Sequence, residues 1–241
     1  MTTSKYLLIQ ARKKNDPMQK HEEKCFARAL KCNISNITSL DIIRDHISEH
    51  HVKKADAVII GGSGDFSIAK GGKWITKVLD FMNYLYDNST ITFASCWGFQ
   101  AMAKAKGGEV IRDLDEAELG TTKLWLTNEG KKDKIFQHLP HTFLAQMGHE
   151  DIVKTLPSEA ILLASSEKVK NEAFTFKNKP IYCTQFHPEL NKNDLKKRMK
   201  TYPEYVRKIL GISETEFIKT RCQNTKDTNE LILRFKQEYI N

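Results

Sequence analysis

Thr92-Phe93-Ala94-Ser95-Cys96-Trp97-Gly98-Phe99-Gln100 is the stretch on which the fold turns. Ile91–Ala94 is a short apolar run that reads as a buried strand, and Trp97 to Lys106 reads as a helix. Between them stands a cysteine flanked by small residues two before and two after, Ala94 and Gly98. A strand that turns sharply into a helix through a nucleophile needs small residues at those places, because the turn is crowded. It also sets the thiol at a helix N-terminus, where the helix dipole is expected to lower its pKa. Taken alone, the stretch equally fits an inert cysteine buried beside a turn.

Working outward, strands and helices alternate. Tyr6–Gln10 reads as a first strand, and Asp16-Pro17 as the cap and first residue of a helix running to about Leu30. Asn36–Leu40 and Ala57–Ile60 read as strands, and Trp74, Ile75, Val78, Leu79, Met82 and Leu85 recur at helical spacing. Such alternation predicts an α/β fold with a largely parallel sheet. After Gly108 the pattern becomes strand-rich: Glu109–Arg112, Leu124–Leu126, Phe143–Met147, Ile161–Ala164, Ala173–Phe176 and Ile181–Phe186. An antiparallel extension of the sheet accounts for that half. From Asn193 two helical stretches are expected, broken at Pro203 and Gly211 and ending in the apolar stripe Leu231, Phe235, Tyr239.

Composition narrows the classes. The chain has 241 residues, 38 Lys+Arg against 30 Asp+Glu and 12 Gly. It is long enough to bury a sizeable core without staples. Its apolar runs are far shorter than the roughly 20 residues that span a bilayer, and its first residues lack a signal-peptide pattern. The 5 cysteines form no C-x-x-C pair, so a reducing, cytoplasmic setting without a zinc ribbon is expected. The net charge of +8 sits mostly after Leu190, in runs such as Asn193–Lys200. Acidic residues are interspersed there, so the run reads as a solvated helix face, with no nucleic-acid partner. His46 and His50 have helical ligand spacing but no third ligand, and no metal is expected. Gly61-Gly62-Ser63-Gly64 follows a strand but fails both phosphate-loop patterns. What remains is a glycine turn at the carboxyl end of a strand, where α/β proteins place their sites.

A second motif, Gln185-Phe186-His187-Pro188-Glu189, supplies partners for a thiol. In an extended chain residues two apart share a side, so His187 and Glu189 project together. A carboxylate beside an imidazole orients it, which makes Cys96, His187 and Glu189 a candidate triad. No other cysteine has a histidine partner implied by the sequence.

With Gly61-Gly62, the elbow around Cys96 followed by Gln100, and His187-Pro188-Glu189, the chain resembles the class I (triad-type) glutamine amidotransferases. Gly148–Pro157 is similar to a further loop of that family, H-x-D-x-V…L-P. The resemblance runs from about Tyr6 to Leu190 and is nearest to the glutaminase domain of GMP synthetase and its stand-alone relatives. Two departures stand out: Ala94 where the family usually has Gly, and Cys183 in a strand position where it often has Gly. The resemblance implies a flavodoxin-like or Rossmann-like open sheet with helices on both faces. It divides the chain into a catalytic domain, 1–190, and a helical extension, 191–241, packed on it. It also implies a glutaminase without a cofactor. Cys96 attacks the side-chain amide of glutamine, the backbone N–H groups of Gly62 and Trp97 hold the oxyanion, and Gln100, His149 and Asp151 hold the amino-acid end. The S-G-G-x-D-S loop of a synthetase domain is missing from the sequence. Three readings stay open: a glutaminase feeding a separate synthetase subunit or acceptor, a γ-glutamyl peptidase, and a non-catalytic binding protein of the same fold.

Overall fold

The computed structural model describes residues 4–240; the outermost ends of both expected domains, residues 1–3 and 241, lie outside the described residues. Its first half alternates strand and helix: β1 Tyr6–Gln10, α1 Met18–Ala29, β2 Ile37–Asp41, α2 Glu49–Lys53, β3 Ala57–Ile60, α3 Ile75–Asp87, β4 Thr92–Ser95 and α4 Trp97–Ala105. Strands dominate next: β5 Glu109–Arg112, β6 Glu118–Leu126, β7 Thr142–His149, β8 Asp151–Thr155, β9 Ala160–Ser166, β10 Ala173–Phe176 and β11 Ile181–Thr184. The chain ends in α5 Lys192–Thr201, α6 Pro203–Leu210, α7 Glu214–Thr220, α8 Lys226–Asn229 and α9 Leu231–Tyr239.

Nine strands form one sheet in the order β2-β1-β3-β4-β11-β10-β9-β6-β7, with β5 and β8 paired separately. From β2 to β11 the neighbours are parallel, and from β11 to β7 they are antiparallel. This is the α/β architecture expected, with the antiparallel extension supplied by the second half. Strands β1, β3, β4 and β11 of the parallel block are buried on both faces, so their side chains sort by parity. Leu7, Ile9, Val58 and Ile60 face one helical layer with Val78, Met82 and Phe99. Tyr6, Leu8, Ile59 and Phe93 face the other, with Phe26 of α1 and Leu231, Ile232 and Phe235 of α9.

The terminal stripe thus covers the chain's own sheet. Phe235 lies 5.4 Å from Phe93 and 5.9 Å from Tyr182, ring centre to ring centre. Asn229 donates to the carbonyls of Pro188 and Leu190, tying the end of the chain to the second motif.

Several expectations need correction. The breaks at Pro203 and Gly211 stand where expected, but the chain from Lys192 forms five short helices, because Glu214–Thr220 adds α7 and the last stretch divides at Glu230. The start of α1 is as read: Asp16 Oδ1 accepts from Met18 N at 2.7 Å, and Pro17 already has helical backbone at φ −64°, ψ −16°. Asp151–Thr155, read as a loop, is strand β8, whose residues pair with β5. His46 precedes α2 while His50 lies in it, so the two histidines do not share a helix face.

Candidate active site

Cys96 sits at φ 50°, ψ −98°, between β4 and α4. A non-glycine residue held there stores strain of about 1–3 kcal/mol, which the surroundings must hold in place. Its N–H donates to Thr184 O of β11 at 2.7 Å, and its carbonyl accepts from Gln100 N at 3.1 Å. A Cβ added to Gly98 would lie 2.7 Å from Ile60 Cγ2 and 3.1 Å from the Ala94 methyl. The single methyl of Ala94 therefore fits because the facing position is glycine.

The second motif reaches the thiol by a different geometry from the one expected. Strand β11 ends at Thr184 rather than Phe186. His187 to Leu190 is a β-turn closed by Leu190 N donating to His187 O at 3.2 Å, with Pro188 in its second position. The turn still sets His187 Nδ1 2.7 Å from Glu189 Oε1. His187 N donates to Gln146 O of β7, which anchors the turn to the antiparallel block. A Cβ added to Gly62 would lie 2.7 Å from His187 Cε1 and 3.6 Å from Cys96 Cβ, so the glycine turn, the imidazole and the elbow close on one point. Cys96, Gly62 and His187 line one cavity.

Electrostatics corrects two further expectations. Burial, with the Glu189 carboxylate next in importance, pushes the Cys96 thiol up to about 12, although Arg198 works in the opposite direction. Desolvation outweighs the helix dipole here. Gly62 N–H, expected to be free for an oxyanion, donates to Glu22 Oε1 at 3.2 Å. Glu22 is fully buried and is held ionised, below the ordinary range, because Arg12 offsets its burial. Trp97 N–H belongs to the first turn of α4, where amides have no intrahelical acceptor.

The other singled-out residues are engaged with the protein. Gln100 donates through Nε2 to Asp151 O at 2.9 Å and Gln185 Oε1 at 3.1 Å. Asp151 accepts from Ser67 Oγ and Ala69 N, pinning the loop that follows the glycine turn. His149 is buried, with Nε2 3.3 Å from Glu118 Oε2. Gln100, His149 and Asp151 all border a neighbouring cavity that Cys96 also lines.

Two residues escaped the sequence reading. Gln185 amide stands 3.7 Å from Cys96 Sγ. Arg198, on the run read as a solvated face, is buried, with Nη1 3.5 Å from His187 Nδ1 and Nη2 3.7 Å from Glu189 Oε1. Leu195, Arg198 and Met199 share one buried face of α5, a spacing visible beforehand. A third correction concerns Cys25, whose Sγ lies 3.7 Å from His21 Nε2, so a second cysteine does have a histidine neighbour. His21 also meets Asp194 at 3.2 Å, and burial pushes the Cys25 thiol up to about 12.

The family model of class I glutamine amidotransferases matches residues 22–201, well over half the chain. The chain belongs to that family. The match extends past Leu190 through α5, and so includes Arg198. Among similar proteins, a glutamine-hydrolysing GMP synthase subunit of Methanococcus vannielii is 36% identical over 124 residues, 52% of this chain and 64% of that protein. The aligned part thus spans less than two thirds of that relative's length. Gamma-glutamyl peptidase 3 of Arabidopsis thaliana is 29% identical over 150 residues, 61% of this chain and 59% of its own. A glutamine amidotransferase crystal structure from Thermotoga maritima superposes with a TM-score of 0.77 at 18% identity, covering 100% of both chains. That likeness concerns the fold. No described helix is long and apolar enough to cross a membrane.

Proposed function

We propose that the protein is a cysteine hydrolase of γ-glutamyl amides, working through Cys96, His187 and Glu189. The observation that carries this reading is the 2.7 Å His187–Glu189 pair on the same cavity as a cysteine held at positive φ in a strand-to-helix elbow. A thiol with its pKa near 12 is protonated at neutral pH, so the imidazole has to take its proton during attack. The Cys96 sulfur bonds to the carbonyl carbon of the γ-amide, the bond from that carbon to nitrogen breaks, and His187 passes the proton to the departing nitrogen. Water then adds to the thioester, gives its proton to His187, and glutamate leaves as the sulfur is reprotonated. Glu189 holds the imidazole and balances its charge.

Trp97 N–H serves as one oxyanion donor, and Gly62 N–H as the other once it turns away from Glu22. One such donor contributes about 10²–10³ in rate. Because the side chains of Gln100 and Asp151 and the Nε2 of His149 are engaged with the protein, their part in substrate binding is indirect. Gln100 and Asp151 shape the backbone that faces the amino-acid end, and His149 braces β7. When glutamine is the substrate the product is ammonia. The methanogen relative, by name one subunit of a GMP synthase, supports delivery of that ammonia to a separate synthetase partner. The free thiols support a reducing, cytoplasmic setting.

The test is covalent. A diazo-ketone analogue of glutamine should modify Cys96 and block turnover of glutamine or a γ-glutamyl anilide. Peptide mapping that finds the label on Cys25 or Cys183, with Cys96 untouched, would sink the assignment.

A further inference from the structure

Cys96 is the meeting point of two cavities, each of about 240 Å³. Gln100 and Asp151 border only the first, whereas His187 and Arg198 border only the second. On the reaction proposed above, the departing nitrogen must meet His187, so the leaving group occupies the second cavity and the glutamyl part the first. Ammonia is about the size of water, and one water needs about 10–15 Å³ of such space. The second cavity is therefore more than ten times larger than ammonia requires.

Its lining says what kind of leaving group fits. Leu190, Leu195, Met199 and Met147 supply apolar wall. Among them stands the Arg198 guanidinium, only 8% exposed, with Nε and Nη2 lacking any hydrogen-bond partner on the protein. Its nearest carboxylates, Glu22 at 3.5 Å and Glu189 at 3.7 Å, already have closer partners: Arg12 at 2.9 Å and His187 at 2.7 Å. A buried guanidinium with open donors is costly unless an acceptor arrives, and the planar fork matches a carboxylate.

Resting on that hydrolase reading, we propose that the second cavity is a leaving-group subsite for amino acids and peptides. Arg198 receives their carboxylate, and the apolar wall receives their side chain. The preferred substrate class is then γ-glutamyl amino acids or peptides rather than free glutamine, whose departing ammonia offers Arg198 nothing.

Two measurements test it. Calorimetry on Cys96→Ala compares γ-glutamyl-leucine with γ-glutamyl-leucinamide, which differ at the carboxylate alone. The acid should bind at least about tenfold tighter. Arg198→Met in the same background should erase that ratio, and Arg198→Lys should keep part of it, with thermal melts reporting folding. Equal binding of acid and amide to Cys96→Ala overturns the subsite whether or not the Arg198 variants fold; a ratio that survives in folded Arg198→Met does so too. The second measurement is leucine and ammonia release by the unmodified enzyme. Tight acid binding without release of either product from any γ-glutamyl compound refutes the hydrolase reading and leaves the subsite standing. Equal kcat/KM on the acid, the amide and glutamine leaves the hydrolase and removes the subsite.

Discussion

Two buried histidines in this molecule each face a glutamate, and only one of them has the surroundings for chemistry. His187 and Glu189 approach to 2.7 Å, with Arg198 beside them and Cys96 on the same cavity. His149 and Glu118 approach to 3.3 Å, with a second carboxylate, Glu172, beside them. His149 Nδ1 and both Glu172 oxygens are buried without a hydrogen-bond partner on the protein. Burial, followed by the charge of Glu118, holds the Glu172 carboxyl well above its ordinary value, so it keeps its proton. Glu118 is held below its ordinary value because His149 and further hydrogen bonds overcome its burial. An imidazole next to a carboxylate is thus no signature of catalysis by itself. Each histidine borders a cavity that Cys96 also lines, but only the His187 ring packs against the glycine turn beside Cys96, whereas the second pair joins β6 to β7 next to a second carboxyl and braces the antiparallel block.

The sharpest way to break this contrast is to remove the members of the proposed triad. Cys96→Ala should reduce turnover by at least about 10⁴-fold, and His187→Ala by nearly as much, because the imidazole moves protons in both half-reactions. Glu189→Ala should be milder, with measurable residual rate, since orientation is only partly lost. Steady-state kinetics with circular dichroism decides; a folded His187→Ala enzyme at full rate contradicts the mechanism. His149→Ala should act on the other axis. It strands the buried Glu118 charge and should cost about 3–5 kcal/mol in denaturant unfolding. If His149→Ala instead keeps full stability and loses kcat alone, the two pairs are more alike than their surroundings suggest.

Gly62→Ala tests the point where the glycine turn meets the first pair. The added methyl would stand 2.7 Å from His187 Cε1, so the ring must shift. A loss of roughly 10²–10³ in kcat/KM is expected, comparable to removing an oxyanion donor. Unchanged kinetics would show that the ring does not need its present position.

The difference between the two pairs also explains what could be read in advance. Strand β4, the elbow, Gly98 and the His187–Glu189 pair are each local, so short-range rules of spacing and crowding reach them. The pair is legible even though its geometric reason differs from the expected one: a proline turn, not an extended strand, brings its members together. Glu118, His149 and Glu172 come from separate segments of the antiparallel block, and no spacing in the sequence joins them. Arg198 reaches the site only because α5 folds back over the turn at Leu190, and a basic run hides one buried arginine well. Strand β8 escapes a local reading because its partner, β5, lies 39 or more positions upstream, the nearest pair being Arg112 and Asp151. The thiol pKa goes the other way from the expectation because a helix terminus is visible in sequence and burial is not.

The smallest effect concerns the proton on Glu172. A carboxyl whose folded pKa is raised contributes stability in full below its unfolded value, about 4.3, and loses it as pH rises toward the folded value. Within that window each pH unit removes about 1.4 kcal/mol, because the unfolded chain has released the proton and the folded chain still holds it. Glu118 behaves in the opposite sense: its contribution is present above the ordinary carboxylate range and disappears as pH falls through its lowered folded value. The two windows therefore lie on opposite sides of pH 4.5 or so, and measurements from pH 5 upward isolate Glu172. Glu172→Gln is neutral at every pH and has no proton to lose. Its urea midpoint should already exceed that of the unmodified protein slightly at pH 5, and the gap should widen as pH rises from there. A gap between the two proteins that is constant with pH would mean that Glu172 is ionised in the folded state, and that the second pair carries a net negative charge the first pair does not.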